Sequence, residues 1–221
     1  MLPRPRASSS MAEAHGTRIS DDLGLSRIEL GALKANCYVL ATPGGDAMVV
    51  DPGDEAERIE SLLDESSLRP TAIVATHAHP DHISAAAQLV ARYGAPFCMH
   101  PADSTLLPRL NFFRFVVGDG PVQIPTIDVA LAHGARLSIG ECDVSVVHTP
   151  GHTPGCICLD LDGALLSGDT IVEGRPGRTD PPWGDAAALG ASIARLRDSF
   201  PPETSLHPGH GPGMPLSDLQ A

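Results

Sequence analysis

Three histidines and an aspartate crowd into six residues at His77-Ala78-His79-Pro80-Asp81-His82. Imidazole nitrogens and carboxylate oxygens are the usual ligands of zinc and of first-row transition metals, so the cluster points to metal binding. A turn lets neighbouring side chains point in different directions, and four donors in one turn can serve more than one ion. A lone histidine would read as a polar loop residue. HxHxDH directly after an apolar run reads as a ligand cluster. Three further donors stand in glycine-containing loops: His152 in Thr149–Gly155, Asp169 in Ser167–Thr170 and His210 in His207–Gly211. Singly, each would be a turn residue. Together, each at or near the end of an expected strand, they supply what a pair of ions needs.

These residues must be held by regular elements. Thr71–Ala75 is a short, β-branched apolar run and is expected to be a buried strand ending at the histidines. The alanine-rich run Ile83–Tyr93 is expected to be a helix stopped by Gly94. Upstream, Cys37–Thr42 and Ala47–Asp51 read as a hairpin turning at Pro43–Asp46. Asp54, with Glu57 three residues on, reads as a capping box opening a helix that shows Ile59, Leu62 and Leu63 on one face. Downstream, strands are expected at Pro96–His100, Arg136–Ile139, Cys142–His148, Cys156–Leu161, Ala164–Ser167 and Thr204–His207. Asp185 is expected to cap a helix whose Leu189, Ile193, Leu196 and Phe200 form one core-facing stripe. Residues 101–133 are broken by four prolines yet apolar, and read equally as a packed surface loop or as one wall of a substrate pocket. Frequent hairpins among alternating helices favour a mixed pair of sheets covered by helices over a doubly wound parallel sheet.

Composition sets the outer bounds. The 221 residues suit one sizeable domain, with residues 1–22 expected to be a loose tail ahead of a domain spanning 23–221. Met11 is as good a start as Met1. A formal net charge of -12 repels phosphate backbones, so nucleic acid is excluded as a partner. No apolar run approaches a transmembrane length, and the first ten residues lack the apolar core of an export signal. Five cysteines without a disulfide-like framework fit a reducing cytoplasm. Cys156 and Cys158 read as small core residues, and His100, His133, His148 and His207 as structural or surface residues.

Seven pieces, in order from about residue 36 to 211, carry a resemblance: Asn36-Cys37-Tyr38, Val49–Gly53, Thr76–His82, Thr149–Gly155, Ser167–Thr170, Gly177–Asp180 and Pro208–Gly211. Together they resemble the metallo-β-lactamase superfamily, and within it the glyoxalase II-like (hydroxyacylglutathione hydrolase-like) branch. The resemblance implies an α/β (α+β) fold, a four-layer αββα sandwich of two mixed sheets with outer helices and a metal site at the sheet edge. It implies two divalent ions, zinc or iron or a mixed pair. One would be held by His77, His79 and His152, the other by Asp81, His82 and His210. Asp169 would bridge them, and Asp51 would orient a ligand histidine.

The implied activity is hydrolysis of a small acyl thioester by a hydroxide held between the ions, with Asp81 and Asp169 as the catalytic carboxylates. Other readings of the same residues are an iron persulfide dioxygenase using His77, His152 and Asp169, a lactonase, and a metal-binding or redox module built on Cys156 and Cys158. Export argues against a β-lactamase, and charge argues against a nuclease. Two-domain members carry a helical extension that helps bind glutathione. Only eleven residues follow His210 here, so the thiol carrier is expected to hang in solvent. The acyl group, the metal and the oligomeric state are open at this stage.

Overall fold

The computed structural model describes residues 15–116, 118–180 and 182–220. The first half of the chain builds a sheet from β1 (His15–Arg18), β2 (Gly24–Leu30), β3 (Ala35–Ala41), β4 (Asp46–Val50), β5 (Arg69–Val74), β6 (Phe97–Met99) and β7 (Val129–Ala130). Among the described residues these seven lie side by side in chain order. β1 to β4 are antiparallel and β4 to β7 parallel. The second half builds a sheet from β8 (Arg136–Ile139), β9 (Cys142–His148), β10 (Ile157–Asp160) and β11 (Ala164–Gly168). The small hairpin of β12 (Ile171–Val172) and β13 (Arg175–Pro176) follows, and β14 (Ser205–Pro208) and β15 (Met214–Pro215) then complete the second sheet.

Side-chain parity explains the layers. Along β3, Cys37 and Val39 face outward while Tyr38 and Leu40 face the other sheet; along β4, Ala47 and Val49 face outward while Met48 and Val50 face inward. Successive strand residues point to opposite faces, so a strand covered on both sides reads as a continuous apolar run. The outward face meets α1 (Ala56–Glu65) and α3 (Ala86–Tyr93) through Ile59, Leu63 and Leu89. The inner face meets Val144, Val146, Ile157, Leu159 and Leu166 of the second sheet. That sheet's far side, through Cys158, Leu165 and Leu206, packs on Leu189, Ile193 and Leu196 of α5 (Ala186–Ser199). The order is therefore helix, sheet, sheet, helix, the expected αββα sandwich.

Several local expectations need correction. His15–Arg18 lies in the stretch expected to be loose, but pairs antiparallel with β2; residues 1–14 lie outside the described residues. Asp54 does not cap α1. Glu55, at φ 47°, precedes the helix without a side-chain cap, and the Asp54 carboxylate instead accepts from the Glu55 amide at 2.8 Å. The helix expected over 83–93 starts earlier and breaks: α2 (Pro80–Ile83) lies within the ligand turn, and α3 begins at Ala86. The Ser84 hydroxyl donates to the Pro80 carbonyl at 2.6 Å, and Pro80 at the first helical position needs no amide partner. Phe200 sits half-buried beyond the end of α5, so the buried stripe stops at Leu196. The insert is packed on one side and open on the other. Leu106, Leu107 and Leu110 are core, whereas α4 (Leu110–Val116) turns Phe112 and Phe115 outward, 63% and 78% exposed.

Candidate metal centre

Donors arrive at one edge of the sandwich because the C-terminal ends of β4, β5, β11 and β14 gather there, with the loop that follows β9. Asp51 follows β4 directly, the histidine-rich turn follows β5, His152 lies four residues beyond β9, and Asp169 and His210 follow β11 and β14. Three donor groups converge: His77, His79 and His152; Asp81, His82 and His210; and, behind these two trios, Asp51 with His77 and His82. In the first, His79 Nδ1 lies 3.1 Å from His77 Nε2 and 2.8 Å from His152 Nε2. Nitrogens around a tetrahedral zinc, at about 2.0–2.1 Å from it, stand about 3.3 Å apart, so this convergence is close to that of a ligand set. In the second, His210 Nε2 lies 3.2 Å and His82 Nε2 3.7 Å from Asp81 Oδ2. The Asp169 carboxylate stands between the trios, its oxygens 3.5 Å from His152 Nε2, 3.5 Å from His82 Nε2 and 3.8 Å from His210 Nε2.

The outer ring nitrogens are tied down, which fixes the inner ones. His210 Nδ1–H donates to the Leu33 carbonyl at 3.1 Å, and His152 Nδ1–H to the Arg178 carbonyl at 2.7 Å. His82 Nδ1–H donates to Asp51 at 3.0 Å, and His77 Nδ1 meets the Thr76 hydroxyl at 3.1 Å. An oxygen that accepts from one ring nitrogen leaves the other with its lone pair facing the site. Asp51 adopts φ 54° to do this, and also accepts from the Thr76 amide and hydroxyl, each at 2.7 Å. A non-glycine residue in the left-handed region persists only where its surroundings over-determine it.

Protonation splits the trios. Burial holds His77 well below the ordinary imidazole range. Burial and the charge of His152 press His79 down to about 3. Burial also opposes charge on His82, but the carboxylates of Asp169, Asp81 and Asp51 outweigh it and lift the ring to about 10. Burial opposes ionisation of Asp81 too, yet His82 and His210 win and lower its pKa. Burial likewise opposes charge on His210, but Asp81 and Asp169 outweigh it and raise its pKa.

His82 Nε2 and Asp169 Oδ1 are buried and have no hydrogen-bond partner. Such atoms cost about 1–3 kcal/mol each unless something completes them. A Cβ on Gly209 would run into that same Asp169 oxygen and into the His82 ring, so the glycine keeps the space open. The sequence profile of the Metallo-beta-lactamase superfamily matches residues 30–213. The chain belongs to that superfamily.

Its relatives include proteins of similar length. A crystal structure titled as TTHA1623 in a di-iron-bound form is 39% identical, with a TM-score of 0.78, covering 86% of this chain and 94% of that one. The BLEG-1 B3 metallo-beta-lactamase is 34% identical, with a TM-score of 0.81, covering 88% and 95%. The hydroxyacylglutathione hydrolase GloC of Haemophilus influenzae is 29% identical over 198 residues, 86% of this chain and 91% of the relative. As a superfamily member the chain is a metallo-hydrolase, and its histidine–aspartate clusters suit a binuclear metal site. No described helix is long and apolar enough to cross a membrane.

Sequence reasoning missed the residues that hold the loops together. Asp103, from the insert, is fully buried and accepts from the Ala78 amide at 3.0 Å, the Thr153 hydroxyl at 2.7 Å and the Gly155 amide at 2.6 Å. It therefore joins the loop of His77 and His79 to that of His152. Asn36 and Tyr38, quoted only as part of a resemblance, donate to the Pro208 carbonyl at 2.8 and 2.7 Å and so seat the His210 loop. Ser192 of α5 donates to the Pro150 carbonyl at 2.8 Å and seats the His152 loop. The remaining histidines lie apart from the site. His100 and His148 stack with ring centroids 4.0 Å apart, His133 approaches the His148 amide, and His207 contacts Tyr38 edge-on. The thiols of Cys156 and Cys158 are buried, which pushes both pKa values up, Cys158 to about 11. Inert, buried thiols do not suit a redox module.

Proposed function

We propose that this chain hydrolyses acyl thioesters in the manner of glyoxalase II, with two divalent cations at the sandwich edge. The observation that supports this reading above the others is that each trio brings a ring nitrogen to 3.5 Å from Asp169, through His152 and His82, with His82 Nε2 and Asp169 Oδ1 left unpartnered. In this reading His77, His79 and His152 hold one ion, and Asp81, His82 and His210 the other. Asp169 would offer its carboxylate to both, and Asp51 holds His82 from behind. A pair of cations supplies an ionised water at neutral pH, a polarised carbonyl and compensation for the oxyanion. Asp81, on the cavity side of the cluster, orients the attacking water. The water oxygen bonds to the carbonyl carbon, the carbon–sulfur bond breaks, and the products are a carboxylate and a thiol. A thiol of pKa about 8.5 leaves without a dedicated acid. The name of GloC supports a thioester as the substrate class. A cytoplasmic setting belongs to the reading, since the five cysteines are unpaired.

Zinc and iron both suit these donors, and one similar structure is titled as di-iron-bound. The second reading, an iron oxygenase using His77, His152 and Asp169, rests on that title and on the 3.5 Å approach of His152 to Asp169. Metal analysis of freshly purified protein, run beside thioester hydrolysis and oxygen uptake, separates the two. Two equivalents of metal with hydrolysis and no oxygen uptake is the expected result. Asp169→Ala should lose hydrolysis and metal together, while His210→Ala should lose about one equivalent. An Asp169→Ala protein with full metal and full activity contradicts the binuclear reading.

A further inference from the structure

A cavity of about 420 Å³ opens directly onto His79, Asp81 and His152. Its walls are of two kinds. Leu30 at the end of β2, Leu33 of the turn that follows, Phe113 and Val116 of α4, and Trp183 ahead of α5 make an apolar face. The Phe113 and Trp183 rings meet edge-on with centroids 5.6 Å apart, which fixes the deeper part of that face. The charged lining away from the metal donors is acidic: Asp54, Asp119 and Asp180. Among the described lining residues Arg114 is the one cation, and it is engaged. Its Nε–H donates to the Gly120 carbonyl at 2.7 Å, and its guanidinium lies 3.9 Å from Asp119. Beyond the lining, Arg178 pairs with Asp180 at 2.8 Å, and the Arg109 guanidinium is taken up over the Trp183 ring, 5.1 Å from its centroid.

From this lining we infer that the substrate is a thioester of an apolar acyl chain on an uncharged carrier, rather than of a small polar acyl group on an anionic one. This rests on the thioesterase reading above and names its substrate class. In that reading the ions would sit beside His79, Asp81 and His152, which line the cavity, and the carbonyl would be placed there. An acyl chain extending from that point runs along Leu33, Phe113, Val116 and Trp183. A carrier with carboxylates would instead place them near Asp54, Asp119 and Asp180, with no free cation in the lining to receive them. Each methylene brought out of water against such a wall is worth about three- to four-fold in affinity, so three of them give about 30- to 60-fold.

Trp183 is the chain's single tryptophan, so its fluorescence reports binding in this cavity without turnover. Metal-loaded protein is titrated with three non-hydrolysable thioethers: S-hexyl-N-acetylcysteamine, S-hexylglutathione and S-methylglutathione. The expected order of affinity follows that sequence, with at least 10-fold between first and last. The penalty for glutathione should shrink in 0.5 M salt, which screens charges beyond a few ångströms. Phe113→Ala should flatten the hexyl preference, and Asp180→Asn should reduce the penalty for glutathione. In parallel, kcat/KM is measured for hexanoyl and lactoyl esters of N-acetylcysteamine and of glutathione. Hydrolysis with lactoylglutathione as the best substrate, or equal binding of S-methylglutathione and the hexyl thioether, overturns the inference. Failure to hydrolyse any thioester, with the hexyl preference still seen in fluorescence, counts against the thioesterase reading and leaves the cavity's selectivity standing.

Discussion

Asp103 is one carboxylate that receives three hydrogen bonds from two ligand loops, and it ligates nothing in the proposed scheme. Removing it leaves two buried amides and a hydroxyl unpaired, at about 1–3 kcal/mol for each unsatisfied group. Asp103→Ala is expected to lower stability by about 3 kcal/mol or more and to weaken the ion held by His77, His79 and His152 more than the other. Thermal melts and metal stoichiometry check both, and a variant with normal melting and full metal would refute the role. Nothing in the sequence around Asp103 announces this, because its partners lie 25, 50 and 52 residues away. The candidate donors stand out in the sequence for the opposite reason, being clustered or flagged by adjacent glycines. Protonation gives a second prediction, for metal-free protein. His77 and His79 are depressed in the fold, so their contribution is complete above the unfolded value of about 6.5 and is lost as pH falls below it. His82 is raised, so its contribution is complete below about 6.5 and is lost as pH rises towards 10. Urea melts of chelated protein should therefore show stability falling on both sides of neutrality; a profile flat from pH 4.5 to 6.5 would contradict this.

Helix α5 does two jobs with two sets of residues. Leu189, Ile193 and Leu196 fill the outer core, while Asp185 and Ser192 hold the His152 loop through the Gly151 and Pro150 carbonyls, to which the Asp185 amide and the Ser192 hydroxyl donate. Leu196→Ala should cost about 2–5 kcal/mol, whereas half-buried Phe200→Ala should cost about half of a full Phe deletion, about 2 kcal/mol. Denaturant melts of the two variants check the order; equal losses would place Phe200 in the core after all. The helix and its Asp185 cap were readable because a four-three-four repeat has one periodicity and a cap has one chemistry. The start of α1 was misread because Glu55 takes a left-handed turn that a capping-box pattern cannot signal. The break between α2 and α3 was hidden because alanines suit a continuous helix equally well. There, docking decides: the Ala85 amide donates to the Pro52 carbonyl at 3.0 Å, and a Cβ on Gly53 would strike the Asp81 carbonyl. The expected halves of the sandwich were legible as strand-rich runs, but their pairing order was not, since parity does not name a neighbour.

At the scale of the whole molecule, the donors divide by layer. His77, His79, Asp81 and His82 follow strands of the first sheet, while His152, Asp169 and His210 follow strands of the second. Each proposed ion therefore has ligands on both sides of the sheet–sheet interface, and the His79–His152 pair closes a loop of 73 residues. An ion in that position would be a reversible cross-link, whose strength is set by the free metal around the protein relative to the dissociation constant of the site. At free metal 100-fold above its dissociation constant, such a link adds about 2.7 kcal/mol; under a chelator it adds nothing. Hydrogen exchange with and without chelator would map this, with the gain expected at the strand ends on the metal edge and little change along α1. Metal supply would then govern how firmly the two halves stay closed, and with it how long the protein survives proteolysis.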